Sequence, residues 1–151
     1  MLPHTVARRQ PASIIGSVAP GVACTKSQSD PAAVASDRKP VLSFRGSTQV
    51  YSDGQLGLWI RNTSGGTIEA IKGNPQVAMM YRSATKPVLQ FHGRARITTD
   101  EAERERVFEN APEREQKSDP ERKGAAIVID LAKVEGVLKF GPDGPVFVKL
   151  G

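Results

Sequence analysis

Cysteine and histidine are scarce in this sequence, and their scarcity excludes several kinds of site. The 151 residues contain one cysteine, Cys24, and two histidines, His4 and His92. A single cysteine cannot form an internal disulfide, and three such side chains cannot supply the four ligands of a Cys/His zinc site. Cys24 is interpreted as a packing residue rather than a nucleophile. We expect no metal site, and no residue is assigned as catalytic.

The sequence also lacks an apolar run of the roughly 20 residues that a membrane-spanning helix needs. The N-terminal apolar patch is interrupted by Ser13, Gly16 and Ser17, so we do not interpret it as a signal peptide. Hydrophobic residues make up 38% and charged residues 25%, which is typical of a globular protein. We expect one cytoplasmic domain over residues 1–151, with residues 1–12 as a flexible or peripheral segment.

Aromatic residues account for only 5% of the chain, although its net charge is +5. A basic barrel that binds nucleic acid interleaves aromatic and basic side chains on one sheet face. Here Phe44 and Phe91 fall on the apolar faces of their predicted strands. A nucleic-acid partner is therefore disfavoured.

Alternating polarity predicts antiparallel strands from Val41 onwards. Residues 41–50 and 56–60, joined by the turn at 52–54, predict a hairpin. Residues 11–19 are a candidate short strand, residues 24–40 are predicted to be irregular, and residues 76–82, apolar on both faces, predict a buried strand. Further strands are predicted at 87–99, at 125–131 with an extension towards Phe140, and within 141–150. An antiparallel sheet of this size closes into a barrel or a sandwich.

Two helices are predicted between the strands. The first, over residues 67–75, could be capped by Ser64 or Thr63. The second begins at Thr99 or Asp100 and lacks a strong apolar stripe, so we expect it to be peripheral. The mixed charges of residues 113–123 predict an exposed helix or loop.

Arg45 lies in the middle of a predicted strand, and the turn NTSGGT at residues 62–67 opens the first helix. A guanidinium, two glycines and the N–H groups of a helix start together favour an anion such as a phosphate. The alternative is an arginine that pairs with an acidic residue beside an ordinary glycine turn. The pattern alone leaves both interpretations open.

The order of these segments narrows the choice. The runs SFRGS, LGLWIRN, NPQVAMMYR and FHGRARI, spread from Lys39 to about Gly136, resemble the pyridoxamine 5'-phosphate oxidase-like family of FMN-binding split barrels. The resemblance implies a mainly β fold with short helices, a six-stranded antiparallel split β-barrel. It also implies a homodimer with FMN at the subunit interface and an oxidoreductase acting on an unidentified small molecule. The substrate-binding histidine and arginine of true pyridoxamine phosphate oxidases have no match here, which disfavours that reaction.

The resemblance also implies the residues that bind the cofactor. Arg45 would bind the FMN phosphate, together with Gly66 and Thr67 at the helix start. Family members often carry a basic residue where this chain has Gly65-Gly66, so phosphate binding is expected to be weaker. The other implied contacts are Gly46, Ser47 and Thr48 along the ribityl chain and ring edge, Ile60 and Arg61 against the flavin, and Gln90, or its neighbour Val88, near the ring.

Three alternatives remain at this stage. The weakened turn charge leaves open a deazaflavin or haem as the cofactor of the same fold. His92 could contact the ring or ligate a haem, although a surface position is the simpler interpretation. A flavin-binding or stress protein without turnover is equally compatible with the sequence.

Overall fold

The structure of the chain, a computed structural model, describes residues 28–34, 40–42, 45–82 and 88–151. These ranges form eight strands and three short helices. The strands are β1 (Gln28–Val34), β2 (Pro40–Leu42), β3 (Gln49–Ser52), β4 (Gln55–Ile60), β5 (Gln76–Arg82), β6 (Val88–Ile97), β7 (Ala125–Gly141) and β8 (Gly144–Leu150). The helices are α1 (Gly66–Gly73), α2 (Glu101–Glu109) and α3 (Glu113–Lys117).

All strand pairs are antiparallel and belong to one sheet. A core of six strands runs in the order β1-β5-β6-β7-β4-β3, with β2 beside β1 and β8 beside β7. The predicted class, a mainly β antiparallel split barrel with short helices, is confirmed. The turn and the returning strand of the predicted hairpin are confirmed in β3–β4, but its first strand, predicted over residues 41–50, is wrong: Pro40–Leu42 form β2 at the other end of the sheet, and only Gln49–Ser52 form β3. The predicted strand from residue 125 towards Phe140 is confirmed as β7.

The chain itself requires this sheet to curl. Strands β2 and β3 lie at opposite ends of the sheet order, yet only residues 43–48 separate them in sequence. In a flat sheet six strand spacings would place them about 29 Å apart. The seven residue steps from Leu42 to Gln49 reach at most about 24 Å. The two edges of the sheet must therefore approach each other, as they do in a barrel.

Strand β7 produces the split in this barrel. Along one edge, β7 pairs with β6 over residues 127–137. Along its other edge, residues 125–130 pair with β4, whereas residues 134–141 pair with β8. The β6–β7 register shifts beside Gly93, where a Cβ atom would lie 2.3 Å from the Asp130 carbonyl oxygen. Only glycine permits this approach, so the bend in the sheet depends on Gly93.

Strand β4 and the first five residues of β7, 125–129, are buried on both faces by two separate apolar clusters. The inner cluster fills the barrel and includes Leu58, Ile127 and Leu89. The outer cluster packs Trp59 of β4 against Phe108 of α2, with ring centroids 4.9 Å apart. Helix α2 lacks a strong apolar stripe, as predicted, and only Val107 and Phe108 of its nine residues are buried. These two side chains anchor the helix on the outer face of the sheet.

Three further expectations differ from the structure. Residues 28–34, predicted to be irregular, form β1 because they pair with β5 along its whole length. Strand β5 is buried on one face only, with Gln76, Met80 and Arg82 exposed. Helix α1 begins after Gly65 and has no side-chain cap, because the Ser64 hydroxyl donates to Asn62 instead.

The predicted cap of α2 is confirmed, since Asp100 accepts a hydrogen bond from the backbone N–H of Glu103. The candidate strand at residues 11–19 and the peripheral segment 1–12 lie outside the described residues. So do the predicted faces of Phe44 and of the other side chains before Arg45.

Glu103 links α2 to the sheet through a network that makes stability depend on pH. Its carboxylate accepts two hydrogen bonds of 2.6 Å from Arg96 and one of 2.6 Å from Thr98. These bonds, that from Arg96 foremost, lower the pKa of Glu103 from 4.5 to about 2. Because the folded pKa is depressed, the stabilisation is fully present above about pH 4.5 and is lost as the pH falls towards 2.

We expect Glu103→Gln to reduce the free energy of unfolding by about 1–2 kcal/mol at pH 7, a value discounted for the partial exposure of the pair. Urea unfolding at pH 7 and at pH 2.5 measures this difference. The gap between wild type and variant should shrink at the lower pH. A gap of equal size at both pH values would contradict the assignment.

Candidate functional site

Arg45 and Thr67 meet in the folded chain although 22 residues separate them. The Arg45 Nη2 atom donates a hydrogen bond of 2.6 Å to the Thr67 hydroxyl oxygen. Arg45 is half-buried, and burial lowers its pKa while the carboxylate of Glu115 partly offsets that effect. The predicted contact between Arg45 and the helix start is thus present in the structure, although Arg45 lies in the connection between β2 and β3 and not in the middle of a strand.

Helix α1 begins beside Arg45. Gly65 has extended backbone angles and precedes the helix, and Gly66 and Thr67 form its first turn. Gly66 is exposed, and a Cβ atom there would meet no atom within 4 Å. The first turn therefore has open space at Gly66, next to a half-buried guanidinium. Backbone N–H groups at a helix start carry partial positive charge, which adds to that of Arg45.

A second arginine and one carboxylate lie next to this pair. Arg61 follows the last residue of β4, and its Nε atom lies 3.2 Å from Oε2 of Glu115 on α3. The other carboxylate oxygen of Glu115 lies 3.9 Å from the position that a Cβ atom would take on Gly46. We call these five residues (Arg45, Gly46, Arg61, Thr67 and Glu115) the arginine pocket.

Asp119 fixes the connection that follows α3. Its carboxylate accepts hydrogen bonds from the indole of Trp59 at 2.9 Å and from the backbone N–H groups of Gly124 at 2.8 Å and Lys123 at 3.0 Å. Burial by itself would raise the pKa of Asp119, but these bonds outweigh it and lower the pKa. A buried ionised carboxylate with three donors holds this loop against the outer apolar cluster.

Three other predicted cofactor contacts differ in their burial: Ser47, Thr48 and Ile60. The Ser47 hydroxyl is buried and donates to the Trp59 carbonyl at 2.8 Å. The Ile60 side chain belongs to the inner apolar cluster. These two side chains are thus directed into the fold, and only their backbone groups could contact a ligand. Thr48 is half-buried.

Gln90 lies elsewhere, on the outer face of β6. It pairs with Met80 of β5 and with Glu135 of β7. In the described part of the chain, no hydrogen bond or ion pair joins Gln90 or Val88 to the arginine pocket. His92, on the same strand face, has its Nε2 atom 3.7 Å from Glu135. The structure therefore brings together the predicted phosphate residues but not, within one chain, the predicted ring residues.

No group of three or more His, Cys, Asp or Glu side chains is placed to hold a metal ion in the part of the chain that the structure describes. No helix among those residues is long and apolar enough to cross a membrane.

The comparison with protein families agrees with this fold. Residues 23–138 match the model of the pyridoxamine 5'-phosphate oxidase family. The chain belongs to this family. The matched range contains six of the eight strands completely, most of β7 and all five residues of the arginine pocket. Among curated proteins, none matches the chain.

Solved structures of similar fold come from several bacteria. An FMN-binding protein from Syntrophomonas wolfei has 12% identity and a TM-score of 0.61, over 83% of this chain and 82% of that one. A Clostridium acetobutylicum protein related to general stress protein 26 of B. subtilis has 14% identity and a TM-score of 0.62, over 82% and 85%. HupZ of Group A Streptococcus has 18% identity and a TM-score of 0.59, over 93% and 100%. At these identities the likeness is one of fold.

Glu115 and Asp119 were not predicted from the sequence. Both lie in the charged run 113–123, which was interpreted as exposed. Neither occupies a motif, and each acquires its role through contacts with residues more than 50 positions away in sequence, Arg61 and Trp59. No local signal distinguishes them from the exposed acids beside them.

We expect Asp119→Asn to lower the free energy of unfolding by about 2 kcal/mol, because an amide cannot accept from all three donors and loses the charge-assisted bonds. Trp59 is the only tryptophan, so urea unfolding followed by its fluorescence reports directly on this contact. The exposed turn residue Asp143 gives the control, Asp143→Asn. Equal unfolding midpoints for the two variants would show that Asp119 has no such role.

Proposed function

We propose that this protein is a single-domain, cytoplasmic FMN-binding protein of the pyridoxamine 5'-phosphate oxidase family, a homodimer that acts as a flavin-dependent oxidoreductase on a small molecule. The observation that carries the proposal is the contact between Arg45 and Thr67 at the start of α1. It joins a guanidinium, a hydroxyl and a helix N-terminus, and a phosphate monoester needs such donors.

The residues present fit the phosphate of FMN. Arg45 offers a planar set of donors, Thr67 a hydroxyl, and Gly66 lies beside open space that admits a ligand close to the backbone. Arg61, half-exposed at the end of β4, adds a second cation within reach of the same region. These arginines compensate for the basic residue that the Gly65-Gly66 turn lacks.

The other predicted contacts concern the ribityl chain and the ring of FMN. Ser47 and Ile60 would use backbone groups, because their side chains are directed into the fold. Gly46 and Thr48 would continue the same edge along the ribityl chain. FMN, when bound, supplies the electron-transfer chemistry, while the chain binds the phosphate and orients the ring. We assign no catalytic acid or base.

A second copy of the chain would complete the site. The outer face of β5 to β8 exposes Met80 and Phe147, the latter 66% exposed. Gln90 lies in one cross-strand row with Met80, Glu135 and Lys149 on that face. We propose that a partner subunit covers this face and that Gln90 thereby approaches the flavin of the partner. In this arrangement Gln90 could contact a flavin even though it lies far from the arginine pocket of its own chain.

Arg45→Ala should weaken FMN binding by about 10- to 100-fold, which corresponds to the roughly 1.5–3 kcal/mol of a charged hydrogen bond. The measurement is the visible absorbance of the purified protein after FMN addition and desalting, followed by titration of flavin fluorescence. The far-ultraviolet circular dichroism should be unchanged, because Arg45 lies outside both apolar clusters.

The matched control is Lys117→Ala, which removes the same charge from an exposed side chain of α3 that pairs with Glu113. Full FMN affinity in Arg45→Ala would show that the phosphate assignment is wrong. A colourless wild-type protein that retains no FMN would overturn the proposed cofactor and favour a deazaflavin or haem. Bound FMN that nicotinamide donors reduce would support the oxidoreductase, whereas FMN that no donor reduces would restrict the function to flavin binding.

Phe147→Lys should shift the protein from dimer to monomer, because a lysine would place an unpaired charge in the apolar part of the proposed interface. Light scattering coupled to size-exclusion chromatography measures the molar mass. Asp53→Lys, which adds a lysine to the exposed β3–β4 turn, should remain a dimer. A monomeric wild-type protein, or a dimeric Phe147→Lys variant, would contradict this interface.

A further inference from the structure

We propose that Glu115 is a built-in counter-anion of the arginine pocket and that its negative charge weakens FMN binding. The inference rests on the proposed function, since it concerns the same phosphate site. It assigns a role to a residue that belongs to no motif in the chain.

The position of Glu115 is the first argument. One carboxylate oxygen lies 3.2 Å from Arg61 Nε, and the other lies beside the backbone of Gly46, the neighbour of Arg45. The charge of Glu115 also acts on Arg45 itself. The Glu115 side chain is 21% exposed, so most of its surface is shielded from bulk solvent.

The scaffold behind Glu115 is the second argument. Helix α3 is tied to the end of α2 by Gln116, whose amide donates to the carbonyl oxygens of Glu109 and Ala111 at 2.9 and 2.8 Å. Asp119 fixes the chain directly after the helix. These bonds fix the backbone on both sides of Glu115, so its carboxylate starts from a defined position next to Arg61.

The charge balance is the third argument. Arg45 and Arg61 contribute two positive charges, and Glu115 cancels one of them. A phosphate dianion would approach a cluster of net charge +1 rather than +2, and it would compete with Glu115 for the donors of Arg61. Like charges at such distances repel appreciably where water is partly excluded. Riboflavin, which lacks the phosphate, would not experience this repulsion.

The test compares Glu115→Gln with Glu113→Gln. Glu113 lies on the same helix but is 78% exposed and pairs with Lys117, so its variant loses an equal charge away from the pocket. We expect Glu115→Gln to bind FMN about tenfold more tightly, with riboflavin affinity unchanged and with a steeper dependence on salt concentration. Glu113→Gln should change FMN affinity less than twofold.

Equal or weaker FMN binding by Glu115→Gln would overturn the inference, as would an equal gain for riboflavin. Inorganic phosphate separates this failure from failure of the proposed function. If neither protein binds FMN but phosphate raises the melting temperature of Glu115→Gln more than that of wild type, the proposed cofactor is wrong and the counter-anion role stands. If phosphate also fails to distinguish them, both are wrong.

Discussion

The hydrogen bond from Arg45 to Thr67 joins the segment that closes the barrel to the start of helix α1. A half-buried guanidinium must be paired, because an unpaired charge in this position would be costly. Arg45 donates to Thr67 at the helix start, and Arg61 and Glu115 lie beside this pair. The hydrogen bond that pairs Arg45 with Thr67 also places the Arg45 charge beside the helix start, close to Arg61.

The packing of strand β4 fixes the position of the arginine pocket. Strand β4 is buried on both faces as far as Ile60, and the next residue, Arg61, is exposed. The inner cluster fixes one face of β4 through Ile60, and the outer cluster fixes the other through Trp59. Close-packed apolar groups on both sides leave the strand little freedom. The polar residues of the pocket thus begin where the rigid part of the sheet ends.

Alternation predicted most strand positions from β4 onwards, and the family resemblance implied that Arg45 and Thr67 lie together, whereas the pattern of residues 41–50 did not show that this segment crosses from one sheet edge to the other. Other features arise from partners distant in sequence. Strand β1 contains Pro31 and has no clear alternation, and it forms because β5 offers an edge. The burial of α2 depends on Trp59, and the role of Glu115 depends on Arg61. Such contacts become visible only once the sheet brings separate segments together, so local patterns could not predict them.

The position of the 17-residue strand β7 late in the chain affects how the protein folds during synthesis. This strand pairs with β4, β6 and β8, so the facing edges of β4 and β6 have no backbone partner until residue 125 and those after it have left the ribosome. Until then, both edges are open templates for another chain. Pairing of β4 with residues 125–130 closes a loop of about 65 residues, which slows folding. Nascent chains that stall before β7 are thus the species most exposed to aggregation.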